Sequence, residues 1–347
     1  MKRSLVVLLF ALIAPTLGGE ATPALAADPV LVGAGDISTC ANLNDSATEL
    51  LLDTIEGTVF TLGDNSYESG TASEFANCYN PTWGQHKART MPSVGNHEYQ
   101  TPNATGYYNY FGAAAGDPAK GYYSYNLGAW HIIVINTNNS CTIISCAAGS
   151  AQEQWLRDDL AANPAVCTLA YWHHPRFSSS SVHGSQAYMQ PIWQALYDFG
   201  ADVVLSGHTH NYERFAKQTP AGVADPVRGI REIVVGTGGK EFYPINATIA
   251  NSEANNDDTH GVLKMTLHAS SYDWEFVPVA GGTFTDTGSD ACYAGPSPVG
   301  GEANLVTGVS APAPADSGGI ARGWLIAAAA VAAVGLGGVL VAARRTR

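Results

Sequence analysis

Five short apolar runs in this chain each end on a residue able to ligate a metal, and this repetition limits the possible folds more than any other feature. Residues 29–34 run into Gly35-Asp36, 58–62 into Gly63-Asp64, 91–94 into Gly95-Asn96-His97, 168–172 into His173, and 202–206 into Gly207-His208. Runs of this length read as strands. In open α/β sheets ligands collect beyond the carboxyl ends of strands, so side chains from several ends converge whatever their separation in sequence. Helical spacing of apolar positions marks 45–56, with Leu50, Leu51 and Ile55, and further helices are expected over 150–160, stopped by Asn163-Pro164, and 186–199. A strand over 130–135 ends in Asn136, and strands over 230–235, 261–268 and 272–279 follow without long helices between them. The pattern predicts a layered α/β fold with one mixed sheet or two.

The two ends read as export devices. Lys2 and Arg3 precede an apolar run over 5–17 and then Ala24-Leu25-Ala26, which predicts a signal peptide over 1–26. Residues 294–323 read as a flexible linker, 324–343 as an uncharged transmembrane helix and 344–347 as a basic cytoplasmic tail. The expected location is the extracellular face of the cell membrane, with a domain over 27–293 anchored through the C-terminal helix. Residues 28–300 hold 11 Lys and Arg against 27 Asp and Glu, a balance of −16, which argues against a nucleic-acid surface. No protein partner is inferred.

Six cysteines, Cys40, Cys78, Cys141, Cys146, Cys167 and Cys292, lack the paired C-x-x-C spacing of a zinc site. In an exported segment their even number predicts disulfides. Of the 15 pairings that six cysteines allow, only Cys40 with Cys78 is singled out as a candidate.

The chemistry lies in the ordered set Gly35-Asp36, Gly63-Asp64-Asn65-Ser66-Tyr67, Gly95-Asn96-His97-Glu98, His173, and Gly207-His208-Thr209-His210. Mixed oxygen and nitrogen donors suit iron, manganese or zinc better than calcium, and seven ligands exceed what one ion needs. The blocks GD, GDxxY, GNHE, H and GHxH, in this order, resemble those of the purple acid phosphatases in the calcineurin-like metallophosphoesterase superfamily, over roughly residues 30–280. Gly207-His208-Thr209-His210-Asn211-Tyr212-Glu213-Arg214 is similar to that family's GHxHxYER. The resemblance implies an α/β/β/α sandwich of two mixed β-sheets flanked by helices. It also implies a first ion, Fe(III), held by Asp36, Asp64, Tyr67 and His210. A second, divalent ion (iron, zinc or manganese) would be held by Asp64, Asn96, His173 and His208, with Asp64 bridging.

The implied reaction is hydrolysis of phosphate monoesters by a hydroxide that bridges the metals, with the ions clamping the attacking and leaving oxygens. His97 is then a catalytic residue beside the phosphate. His183, at a position where the family often places another active-site histidine, is a second catalytic candidate, its alternative being a solvated loop histidine. Of the doublet His173-His174 the family's His-x-Pro pattern selects His173, and since neighbours on a strand point to opposite faces His174 is read as a packing or supporting residue. Arg176 is read as a surface ion pair or a substrate contact. The tyrosines at 107, 108, 110, 122, 123 and 125 read as β-rich packing before a strand, with a substrate wall as the alternative. Two alternatives share these residues: a phosphodiesterase of the same fold, and a non-catalytic, metal-stabilised surface-binding domain.

Overall fold

A computed structural model of the chain describes residues 27–293. The expected leader over 1–26, linker over 294–323, span over 324–343 and tail over 344–347 lie outside the described residues. In chain order the strands are β1 (Val30–Ala34), β2 (Thr58–Leu62), β3 (Thr90–Ser93), β4 (Tyr123–Leu127), β5 (Trp130–Val134), β6 (Cys167–Tyr171), β7 (Val203–Ser206), β8 (Tyr212–Phe215), β9 (Arg231–Val235), β10 (Ser252–Asn256), β11 (Gly261–Leu267), β12 (Ser271–Pro278) and β13 (Thr287–Ala291). They form a six-stranded sheet in the order β13-β12-β11-β1-β2-β3 and a seven-stranded sheet in the order β10-β8-β9-β7-β6-β5-β4. Each is mixed. β1, β2 and β3 are parallel with antiparallel β11 to β13 beside them, and β5, β6, β7 and β9 are parallel with antiparallel β4, β8 and β10 outside them.

Period-two alternation in the central strands divides the interior into two cores. Ile132, Val134, Leu169, Tyr171, Val203, Leu205, Ile233 and Val235 join the side chains of β1, β2, β11 and β12 in a core between the sheets. Their neighbours Ile133, Ala170, Trp172, Val204 and Val234 pack on the other face with Leu156, Leu160, Ile192, Trp193 and Leu196. Those last residues come from the helices α4 (Ala151–Ala162) and α5 (Gln190–Asp198); the preceding helices are α1 (Asn44–Thr54), α2 (Ala72–Glu74) and α3 (Thr105–Phe111). A strand buried on both faces must be apolar at every position, which is why these strands read as continuous runs. Local chemistry marks two helix starts. Ser150 caps α4 by accepting from the Glu153 N–H at 3.3 Å, and Thr71 with Glu74 forms a capping box ahead of α2.

The two-sheet sandwich is the expected fold, and most expected strands fall within a residue or two of their observed ends. No strand was expected from the sequence at β4, β8, β10 or β13. β10 is Ser-Glu-Ala-Asn-Asn and β13 is Thr-Gly-Ser-Asp-Ala, polar strands at the sheet edges with no apolar face to repeat. α5 begins later than residue 186 because 187–189 form a 3₁₀ turn. The tyrosine cluster does pack, as expected, but half of it is helical: Tyr107, Tyr108 and Tyr110 lie on α3, where Phe75 stacks on Tyr110 with ring centroids 5.0 Å apart.

All six cysteines are paired: Cys40 with Cys78, Cys141 with Cys146, and Cys167 with Cys292. The third bridge ties β6 of one sheet to the end of β13 in the other. The localisation read from the chain ends is corrected. Among the described residues no helix is long and apolar enough to cross a membrane, the 324–343 segment lies outside them, and anchoring through a C-terminal helix has no structural support.

Candidate metal centre

Parallel strands from both sheets point their carboxyl ends at one place. β1 delivers Asp36, β2 delivers Asp64 and Tyr67, β3 delivers Asn96 and His97, β6 delivers His173, and β7 delivers His208 and His210. Four of these residues turn through left-handed backbone: Asp36 (φ 57°), Asp64 (φ 49°), His208 (φ 70°) and His210 (φ 42°). Such a conformation costs about 1–3 kcal/mol for a non-glycine residue and collects at functional sites. Here it swings each side chain off the strand end and inward. Glycine makes room. A Cβ on Gly95 would collide with the Asp64 carboxylate, and one on Gly236 would sit 2.7 Å from Asp36 Oδ2.

The side chains form two groups sharing Asp64. In the first, Tyr67 Oη lies 2.8 Å from Asp36 Oδ1, 3.1 Å from Asp64 Oδ2 and 3.1 Å from His210 Nε2. In the second, His173 Nε2 lies 3.2 Å from Asp64 Oδ2, 3.0 Å from Asn96 Oδ1 and 3.2 Å from His208 Nδ1. A single oxygen, Asp64 Oδ2, therefore faces both groups. His97 sits beside them with its Nε2 3.8 Å from that same oxygen and its side chain 25% exposed. His183 is exposed on its loop but lays its ring on His208, centroids 4.3 Å apart and nearly parallel. All nine sequence-predicted site residues thus meet in one place, His183 at the rim.

A surplus of electron pairs tests whether cations fit. His173 Nδ1 donates to the Leu62 carbonyl at 2.7 Å and His210 Nδ1 to the Glu241 carbonyl at 2.7 Å. In the neutral rings both Nε2 atoms then present lone pairs inward. The phenol of Tyr67 has one hydrogen for three acceptors. Without a cation only protons relieve this crowding. Burial alone would push His173 down, yet the charge and hydrogen bond of Asp64 carry it up to about 9. Burial would raise Asp64, but His173 holds it well below the ordinary carboxylate range. Burial, Asp36 and Asp64 push the Tyr67 phenol far up. Burial and the neighbouring rings of His174 and His173 push His208 far down, which keeps it a neutral donor. The donor set fits two cations.

The residues behind the site are those sequence reasoning left without roles. Glu98 is fully buried and accepts from four backbone N–H groups: Gly95 at 2.7 Å, Asn65 at 2.6 Å, Asp64 at 3.1 Å and Ser66 at 3.3 Å. Burial and the Asp64 charge push its carboxyl up to about 7 against those donors. Two further buried glutamates hold the segment from His173 to His183. Glu232 accepts from the N–H groups of Arg176 and Phe177, and Glu213 from that of Ser179. Tyr243 stacks flat on His210 with centroids 4.1 Å apart. Glu98 and Glu213 stood inside quoted motifs, whereas Glu232 and Tyr243 carried no signal. His174 is a supporting residue, its Nδ1 2.8 Å from Thr137 Oγ1. Arg176 departs from both readings offered for it, donating to the Pro220 carbonyl at 3.1 Å and lying over the Phe177 ring.

The family described as calcineurin-like phosphoesterase matches residues 30–212. Purple acid phosphatase 15 of Arabidopsis thaliana is 29% identical over 241 residues, covering 59% of this chain and 44% of that protein. The chain spans less than half the length of the curated purple acid phosphatases it matches. The structure of purple acid phosphatase PPD1 from yellow lupin (Lupinus luteus) seeds superposes with a TM-score of 0.62 at 17% identity, covering 77% of this chain and 54% of that one. GAP50, described as the anchor in the inner membrane complex of Plasmodium, superposes with a TM-score of 0.58 at 13% identity over 79% of this chain and 91% of its own. At these identities the superpositions show a shared fold.

Proposed function

Because the chain belongs to the calcineurin-like phosphoesterase family, we propose that it hydrolyses phosphate monoesters at a two-metal centre of the purple acid phosphatase kind. The observation that carries this reading is Asp64 Oδ2, 3.1 Å from the Tyr67 hydroxyl in one donor group and 3.2 Å from His173 Nε2 in the other. Asp36, Asp64, Tyr67 and His210 would hold an Fe(III) ion, and Asp64, Asn96, His173 and His208 a divalent ion (iron, zinc or manganese). Bound there, two cations would acidify a shared water and offset the charge that builds on the phosphoryl oxygens.

The chain's own groups supply the rest. His97 donates from Nδ1 to the Glu68 carbonyl at 2.6 Å, which leaves Nε2 aimed at the site. From there a protonated His97 gives a hydrogen bond or proton to the ester oxygen. His183, at the open rim against His208, serves as the second proton donor for the leaving group. The purple acid phosphatase names borne by the Arabidopsis relatives support the monoester assignment. Turnover of p-nitrophenyl phosphate against its bis ester, with metal analysis on the same preparation, tests it. The monoester is expected to give the larger kcat/KM with two ions per chain. A tenfold preference for the bis ester would reassign the substrate, and two bound ions without turnover of either ester would refute the enzyme reading.

Tyr67 separates this branch from the wider superfamily. A phenolate is a hard, anionic donor that favours a trivalent ion. Its charge transfer to ferric iron is expected to colour the protein. Tyr67→Phe removes one oxygen from a residue that is 2% exposed and keeps the ring in place. The variant is expected to fold, to lose the visible band and to release its trivalent ion more readily, while hydrolysis persists at about a tenth of the original rate. A wild-type protein that is active, colourless and free of iron contradicts the ferric assignment.

A further inference from the structure

Lys240 is a charged residue only 8% exposed, beside the site but outside every motif in the sequence. Its ammonium donates to Glu68 Oε1 at 2.6 Å, lies 3.2 Å from Glu241 Oε2, and sits 4.8 Å from the centre of the Tyr67 ring. Its backbone N–H donates to the Asp36 carbonyl at 2.9 Å. Each glutamate that it joins has a second role through its main chain. The Glu68 carbonyl receives His97 Nδ1 at 2.6 Å, and the Glu241 carbonyl receives His210 Nδ1 at 2.7 Å. Glu68 lies on the loop leaving β2 in one sheet, and Glu241 on the loop leaving β9 in the other.

We propose that Lys240 is a positioning residue that straps these two loops together and thereby fixes the rings of His97 and His210 from opposite sides of the site. A carbonyl on Nδ1 sets which nitrogen faces inward and at what angle, but only while the carbonyl itself is held. Both carbonyls belong to loops, and the glutamate side chains that could steady them are 62% and 64% exposed. Exposed ion pairs of that kind ordinarily hold little. Here the ammonium is buried and its three N–H directions are taken by two carboxylates and an aromatic face. Removing it breaks the side-chain link between the two loops and leaves the two carboxylates without their shared counter-charge. Lys240 touches no reacting atom, so its effect passes through the two histidines.

The inference depends on the phosphoesterase reading only for its kinetic arm, and the test reads the two separately. The full chain, loaded with zinc to keep it diamagnetic, is observed by NMR at the Nδ1–H protons of His97 and His210. Turnover of p-nitrophenyl phosphate is measured beside it. In Lys240→Met both proton signals are expected to broaden into exchange with water. At the same time kcat falls about tenfold with KM within about twofold. Lys240→Arg, which keeps the charge, restores the signals. The double variant Glu68→Ala/Glu241→Ala removes both carboxylates that the ammonium joins, is expected to broaden the same two signals, and decides the question if the methionine variant fails to fold. Signals that persist in both variants, or a loss that Lys240→Arg does not reverse, overturn the proposal. A wild-type chain with no turnover whose signals still respond to Lys240→Met upholds the strap and sinks the phosphoesterase reading instead.

Discussion

Asp64→Asn is expected to lower kcat by at least about 10³-fold, close to 4 kcal/mol of transition-state stabilisation, while the chain keeps its fold. The substitution changes one oxygen to an amide nitrogen and leaves the side chain's size unchanged. Oδ1 can still accept from the His97 backbone N–H, a bond of 2.9 Å in the native site, so the loop after β3 stays anchored. What is lost is a shared negative charge, because Asp64 Oδ2 faces both Tyr67 and His173. An amide there presents N–H groups to His173 Nε2 and the phenol, where two cations would need anionic oxygen. Metal content is expected to fall from two ions per chain to one or none. The check is metal analysis with steady-state kinetics on the same sample, and a variant that retains two ions and a tenth of native kcat would show that Asp64 does not bridge.

The second large effect falls on stability. Glu98→Ala leaves four backbone N–H groups facing a cavity where a carboxylate had received them. Each buried donor without a partner costs about 1–3 kcal/mol, and water entering the cavity recovers part of the sum, so a net loss of about 4 kcal/mol is expected. In a domain of this size that corresponds to a fall of about 10 °C in Tm. Glu98→Gln discriminates the cause. It fills the same volume but turns an NH2 group toward N–H donors, so it is expected to lose more than half as much stability as the alanine variant. A glutamine variant as stable as wild type would mean that packing, and not acceptance of four hydrogen bonds, is what Glu98 contributes. Calorimetry of the three proteins decides between these.

These two carboxylates mark how far the sequence could be read. Asp36, Asp64, His173 and His208 were legible because buried parallel strands give continuous apolar runs, and a polar residue directly after such a run stands out. The family's His-x-Pro pattern selected His173 over His174, and the structure puts His173 against Asp64 and His174 against Thr137, although both residues lie beyond β6 and their ring centroids stay 4.9 Å apart. Glu98, Glu232, Lys240 and Tyr243 were not legible in their roles. Each acts through contacts between segments far apart in the chain, such as Arg176 with Glu232 and Glu68 with Lys240. No local period records such a pairing. The edge strands β10 and β13 escaped for another reason: a strand with both faces polar carries no hydrophobic alternation, and only the neighbouring strand specifies it. The left-handed turns at Asp36, Asp64, His208 and His210 were hidden too, because nothing in those residue types demands positive φ.

The central claim is that one centre with two cations, joined through Asp64, carries out the hydrolysis. Its most direct test is a titration of the metal-stripped full chain with iron and then zinc, following bound metal and p-nitrophenyl phosphate turnover together. Turnover that stays near zero through the first equivalent and rises to its plateau at the second is the predicted result. Full turnover at one equivalent, or in the stripped chain, would contradict it.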